Sequence, residues 1–269
     1  MTVVVLTALT LATASAAGAA AVSAASSCPS KCECKWRNGK ESVLCPQMGL
    51  TEIPAFPVDS TVQVLDMSGN PLVQLGGHLF QRLRLLHLQR IVLQRCSMRL
   101  IERNAFMGLT NLVELDLSHN MLPSVPSAAF EHIPQLRELK LNGNPLMRLT
   151  NNALAAVSQL IRLEVANSQV GHVEARAFQG LELLEWLRLD GNLIESLPTA
   201  TLSWLRSLKG VDLHHNPWNC TCTLRPVTLS SYNTILYLSP VKHSSSSSWT
   251  HSNSFYSKTS VISTNALFS

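Results

Sequence analysis

An α/β-type solenoid is the fold class this sequence predicts: a curved horseshoe with short parallel strands on its concave face and loops and short helical turns on its convex face. Three observations predict it. The segment Asn111–Leu122 recurs in altered form as L-x-x-L-x-L-x-x-N-x-L, with its ninth position at Asn70, Cys96, Asn120, Asn144, Ser168, Asn192 and Asn216; the first interval is 26 residues and the other five are 24. A second motif, L-x-x-L-x-x-x-x-F-x-x-L, follows each ninth position, as in Met98, Ile101, Phe106 and Leu109. Four cysteines, Cys28, Cys32, Cys34 and Cys45, cluster just before the first copy.

Self-similarity of this period and pattern is the sequence signature of the leucine-rich repeat. In the third copy Leu112, Leu115, Leu117 and Leu122 point inward from a short strand and its turn. Val113, Glu114, Asp116, Ser118 and His119 alternate with them and are expected to face solvent. The turn strips inward backbone groups of partners, and a buried polar group without a partner costs free energy. An Asn side chain offers two donors and an acceptor, so stacked copies should form an asparagine ladder. Cys96 and Ser168 are small and still hydrogen-bond, which predicts a ladder that survives there in weakened form. Phe80, Phe106, Phe130 and Phe178, with Leu154 and Leu202 in the same slot, should line a spine on the back of the solenoid. One repeat cannot bury its own apolar faces, so its neighbours supply the core.

Before the repeats, Val3–Val22 carries no charge and small residues follow it, a pattern that predicts a signal peptide over residues 1–25. In a secreted chain the cluster C-x3-C-x-C-x10-C predicts a disulfide-stapled N-terminal cap over residues 26–60, and four cysteines allow three pairings. A zinc site is the rival for the same residues. Cys96 should remain reduced and buried. Seven repeats then occupy 61–218.

After the repeats, residues 219–226 open a C-terminal cysteine cap with Cys220 and Cys222, and no later cysteine completes it. Ten of the 21 residues from Ser244 to Thr264 are serine, so residues 227–269 read as a Ser-rich disordered tail. Without a complete cap, Leu208, Val211 and Leu213 should be poorly covered. Two unpaired thiols leave a disulfide-linked dimer through Cys220 or Cys222 open. Asn219-Cys220-Thr221 is an N-x-[ST] acceptor, which makes Asn219 a candidate glycan site. No segment after the signal is long and apolar enough to predict a membrane span.

The chain resembles the Kekkon family of insect neuronal membrane proteins. The resemblance rests on C-P-S-K-C-E-C-K-W-R-N-G-K-E from Cys28, F-Q-R-L-R-L-L-H-L-Q-R-I from Phe80, G-L-T-N-L-V-E-L-D-L-S-H-N from Gly108 and W-L-R-L-D-G-N from Trp186. It covers about Cys28 to Pro226. It implies the cap pairs Cys28–Cys34 and Cys32–Cys45, and a receptor ectodomain associated with adhesion, neuronal signalling and growth-factor receptor inhibition. Beyond Pro226 the chain departs from the family, whose members continue into an immunoglobulin domain, a membrane span and a cytoplasmic tail.

Function is expected on the concave face, where curved solenoids bind. The middle outward column reads Asp66, Val92, Asp116, Lys140, Glu164, Arg188 and Asp212. The candidate protein-binding residues are Arg90, Arg95, Glu114, Asp116, Lys140, Arg162, Glu164, Trp186, Arg188 and Asp190. Trp186 is predicted to be exposed beside Arg162, Arg188 and Asp190, the composition of an interface hot spot. Arg90 and Arg95 are predicted to form a smaller basic site on the second strand. A formal charge of +4, of which the tail lysines Lys242 and Lys258 carry two, is too mild to point to nucleic acid. No G-x-S-x-G, H-E-x-x-H or phosphate-cradling glycine loop is present, so the chain does not read as an enzyme and implies no cofactor and no metal. Asp212 and His214 share a strand face with no nucleophile beside them, and read as solvated strand residues. The expected partner is a protein ligand or a receptor ectodomain. The expected location is secreted or extracellular, or the cell surface for a fuller form that carries a span. The other function class is a truncated or incomplete receptor product with no independent signalling role.

Overall fold

The computed structural model describes residues 28–57, 60–198 and 200–219, with the backbone of 235–237 and 261–263. The expected signal peptide and most of residues 220–269, Cys220 and Cys222 included, lie outside the described residues.

Seven three-residue strands, Val64–Asp66, Arg90–Val92, Glu114–Asp116, Glu138–Lys140, Arg162–Glu164, Trp186–Arg188 and Gly210–Asp212, stack in parallel and in register. Their central residues, Leu65, Ile91, Leu115, Leu139, Leu163, Leu187 and Val211, form one buried file. The residue four past each of those turns the chain in the left-handed region: Gly69, Arg95, His119, Gly143, Asn167, Gly191 and His215 all have positive φ. Four of these are not glycine, so the turn is imposed by stacking against the local preference.

The ladder satisfies that turn. Asn120 Oδ1 accepts the backbone N–H groups of Cys96 (2.9 Å) and Met98 (3.1 Å), while its Nδ2 donates to the carbonyls of Leu93 (2.8 Å) and Leu117 (2.9 Å). Asn192 repeats the pattern with Ser168, Val170, Val165 and Leu189. Ser168 and Cys96 donate in the same direction, Ser168 Oγ to Leu141 O at 3.0 Å and Cys96 Sγ to Met67 O at 3.2 Å. Neither reaches back as an acceptor. The amides of Leu72 and Leu146 therefore turn to backbone carbonyls instead, Leu72 to Asn70 and Leu146 to Asn144 and Ser168. The ladder is continuous and thinner at these two steps. Ser118, expected at the surface, is buried, because the turn folds its short side chain under the sheet edge.

Cys96 is a buried free thiol whose pKa is pushed up to about 11, chiefly by burial. An unfolded thiol ionises near 9.0, so between those values the unfolded chain loses its proton first. Stability should then fall as pH rises through that window, and Cys96→Ala should remove this alkaline loss in denaturant titrations at pH 8 and pH 10. A thiol reagent at pH 8 should label Cys96 only after unfolding.

The other side of each coil carries short pieces: helices Leu79–Arg82 and Ser127–Phe130, and 3-10 turns Ala155–Val157 and Leu202–Trp204. Phe80, Phe106, Phe130 and Phe178 are fully buried in the expected slot, with Leu154 and Leu202 in theirs. The Phe80 and Phe106 rings stack 6.1 Å apart. Two parallel two-residue pairs, Gln74–Leu75 with Leu100–Ile101 and Arg148–Leu149 with His172–Val173, lie between ladder and spine.

The N-terminal cap extends the sheet. Strands Glu33–Arg37 and Lys40–Leu44 form a hairpin, and the second pairs in parallel with Val64–Asp66. Disulfides join Cys28 to Cys34 and Cys32 to Cys45. The ladder runs into this cap: Asn70 Nδ2 donates to Cys45 O at 2.7 Å, and its Oδ1 accepts from the amides of Met48 and Leu50.

At the far end, Leu208, Val211 and Leu213 are buried, against the expectation that they would be poorly covered. Trp218 folds back on the core and donates its indole N–H to Leu213 O at 3.1 Å. Strand Ile235–Tyr237 also pairs in parallel with Gly210–Asp212, and Val261–Ser263 pairs antiparallel with it. Both short strands fall in the segment the sequence reads as a disordered tail.

Candidate functional site

The seven strands present two outward columns. One reads Val64, Arg90, Glu114, Glu138, Arg162, Trp186, Gly210; the other reads Asp66, Val92, Asp116, Lys140, Glu164, Arg188, Asp212. Six carboxylates thus meet four cations, and most charges are compensated in place. Arg90 pairs with Glu114 (3.2 Å), Lys140 with Glu138 (3.0 Å), and Arg188 with Asp190 (3.1 Å) and Glu164 (3.6 Å). Burial depresses the pKa of Lys140 most strongly as a single cause, yet Glu138, Glu164 and Asp116 together hold it above the usual lysine value. Burial likewise works against the charge on Arg188, and Asp190, Glu164 and Asp212 outweigh it. Both stay cationic across the physiological range.

Several of these carboxylates also serve the backbone. Asp66 and Asp116 accept from the amides of Ser68 and Ser118 two residues on, each at 2.9 Å. Glu164 does not make this turn in its own repeat. Asn142 fills the gap by accepting from the Ala166 amide (2.8 Å) and donating to Glu164 (2.8 Å). Sequence reasoning missed Asn142, whose signal was the absence of Asp at position 164.

Arg162 is exposed and, among the described residues, makes no ion pair. It sits in register between Glu138 and Trp186. Trp186 is half-buried, not freely exposed, because its ring lies over Gly210: a Cβ added there would come within 2.4 Å of the indole. Glycine at 210 is what lets the ring lie flat on the sheet.

The comparisons with known proteins agree with this geometry. The family model described as leucine rich repeat matches residues 86–146 and 158–217. This stretch is a leucine-rich repeat domain. The repeat domain is 33% identical over 120 residues to leucine-rich repeat-containing protein 3 of Danio rerio, covering 44% of this chain and 43% of that protein. It is 32% identical over 123 residues to trophoblast glycoprotein of Macaca fascicularis, covering 46% of this chain and 23% of that protein. The chain therefore spans less than half the length of either relative. Among solved structures, the repeat domain superposes on TLR13 in its ssRNA13 complex with a TM-score of 0.63 at 25% identity, over 68% of this chain and 26% of that one. Toll in its complex with Spatzle gives a TM-score of 0.52 at 19% identity, over 58% and 20%, and shows the fold alone.

Of the expected site residues, the leucine-rich repeat sheet brings Arg90, Glu114, Asp116, Lys140, Glu164, Arg162, Trp186 and Arg188 onto one face. Arg95 lies past the strand that carries Arg90, in the left-handed turn column. Asp190 lies at the rim and holds Arg188 through two hydrogen bonds. Asp212 and His214 do come together, with Nδ1 to Oδ1 at 2.7 Å, and both are half-buried, not solvated. No group of three or more metal-ligating side chains occurs among the described residues. Among them, too, no helix is long and apolar enough to cross a membrane. Asn219 is exposed at the end of the described stack.

Proposed function

We propose that this leucine-rich repeat domain is an extracellular protein-binding module that engages a protein ligand or receptor ectodomain through its sheet face. In that role it modulates receptor signalling or neuronal adhesion, as its resemblance to the Kekkon family implies. One observation carries the reading: an uncompensated Arg162 sits in register beside the half-buried Trp186 on a face where the other three cations are paired. Aromatic and arginine side chains of this kind dominate binding energies at protein interfaces. The compensated charges around them fix orientation more than affinity. A nucleic-acid ligand is disfavoured, because six carboxylates against four cations repel a polyanion.

The test uses secreted full-length chain against a panel of recombinant receptor ectodomains by surface plasmon resonance. For any ectodomain that binds, Arg162→Ala with Trp186→Ala should weaken affinity by roughly 100-fold while the unfolding midpoint stays unchanged. Unchanged affinity would move the site off this face.

A further inference from the structure

Apart from Trp36 on the cap hairpin, the large apolar side chains left at the surface lie off the strands of the concave sheet. Four of them, Val73, Met121, Met147 and Leu193, are 46–59% exposed and lie on one flank of the solenoid, one or three residues past the ladder. The positions one and three residues beyond each ladder residue both face outward there, with a buried residue between them (Leu72, Leu122, Leu146, Ile194). Pro71, Pro123, Pro145 and Pro217 occupy the same two columns and stiffen the surface while removing amide donors. The band thins at the second and fifth repeats, where Ser97 and Arg99, and Gln169 and Gly171, hold the two columns. Gly171 donates its amide to Met147 O at 2.9 Å, and a Cβ built on it would stand 4.0 Å from that of Leu193. Clustered exposed apolar side chains of this sort mark an interaction site.

The charges in the band say what covers it. Arg99, Met147 and Glu195 hold the same place in their repeats, three residues past Cys96, Asn144 and Asn192, and Met147 stands two repeats from each of the other two. Arg99 and Glu195 are exposed and make no ion pair among the described residues. A two-fold axis through Met147 therefore sets Arg99 of one copy against Glu195 of the other, twice, with the Met147 side chains meeting at the axis. A self-complementary patch of this kind is what an isologous dimer requires.

We propose that this flank is a homodimer interface in which two copies pack antiparallel about Met147, leaving both concave faces open. Sedimentation velocity of the full-length secreted chain at physiological salt should show a concentration-dependent dimer. Met147→Asp places like charges at the axis and should weaken dimerisation by roughly 100-fold or more. Arg99→Glu alone and Glu195→Arg alone should each weaken it by about tenfold, and the double variant should restore it. That recovery excludes misfolding as the cause. A chain that is monomeric at every concentration overturns the proposal. So does a dimer indifferent to Met147→Asp, or one that vanishes on reduction alone, which would instead be linked through Cys220 or Cys222.

Discussion

Asn120→Ala should be among the most destabilising single substitutions in this chain. The amide satisfies four buried backbone groups, the N–H groups of Cys96 and Met98 and the carbonyls of Leu93 and Leu117. Alanine leaves three of them without a partner, because the Leu117 carbonyl keeps Asn144 Nδ2 at 2.9 Å, and each orphaned group costs about 1–3 kcal/mol. Partial relaxation of the turn lowers the total to on the order of 4 kcal/mol. Urea unfolding followed by circular dichroism measures it. The converse change, Ser168→Asn, restores an acceptor for Leu146 N–H and should stabilise by about 1 kcal/mol. A loss below about 1 kcal/mol for Asn120→Ala would mean that the ladder is not what holds the turns.

Opening the Cys32–Cys45 bridge with the double change to alanine should cost about 2–5 kcal/mol and should act first at the N-terminal end. This disulfide fixes the hairpin that covers Val43 and Leu65, and Cys45 supplies the carbonyl that receives Asn70. Once the hairpin swings away, Asn70 loses three partners in the cap and the first repeat presents an apolar edge to water. Hydrogen exchange should rise around residues 64–72 while the strands from Glu138 onward keep their protection. Uniform loss along the chain would contradict this, because repeat stability is carried between neighbours.

The inward file and the ladder were legible in the sequence because both are periodic: Leu115, Leu139 and Leu187 repeat at one interval, and so do their asparagines. Aperiodic features were not. Trp186 reads as an exposed aromatic, and only the register that sets Gly210 beside it reveals that the ring lies down. Arg95 sits an odd count from Arg90 and looked strand-borne, but the left-handed turn carries it off the sheet. The buried end at Leu208, Val211 and Leu213 was hidden as well. Trp218 folding back supplies cover there, and that does not follow from composition.

Each amide of the ladder reaches one coil back, to partners 20–27 residues away, and no further. Tension applied to the two ends of the domain would thus meet a series of separate clasps in place of one shared load. The coils would peel away singly, and the seam between Asn144 and Ser168, where a hydroxyl stands in for an amide, is the place for the first to open.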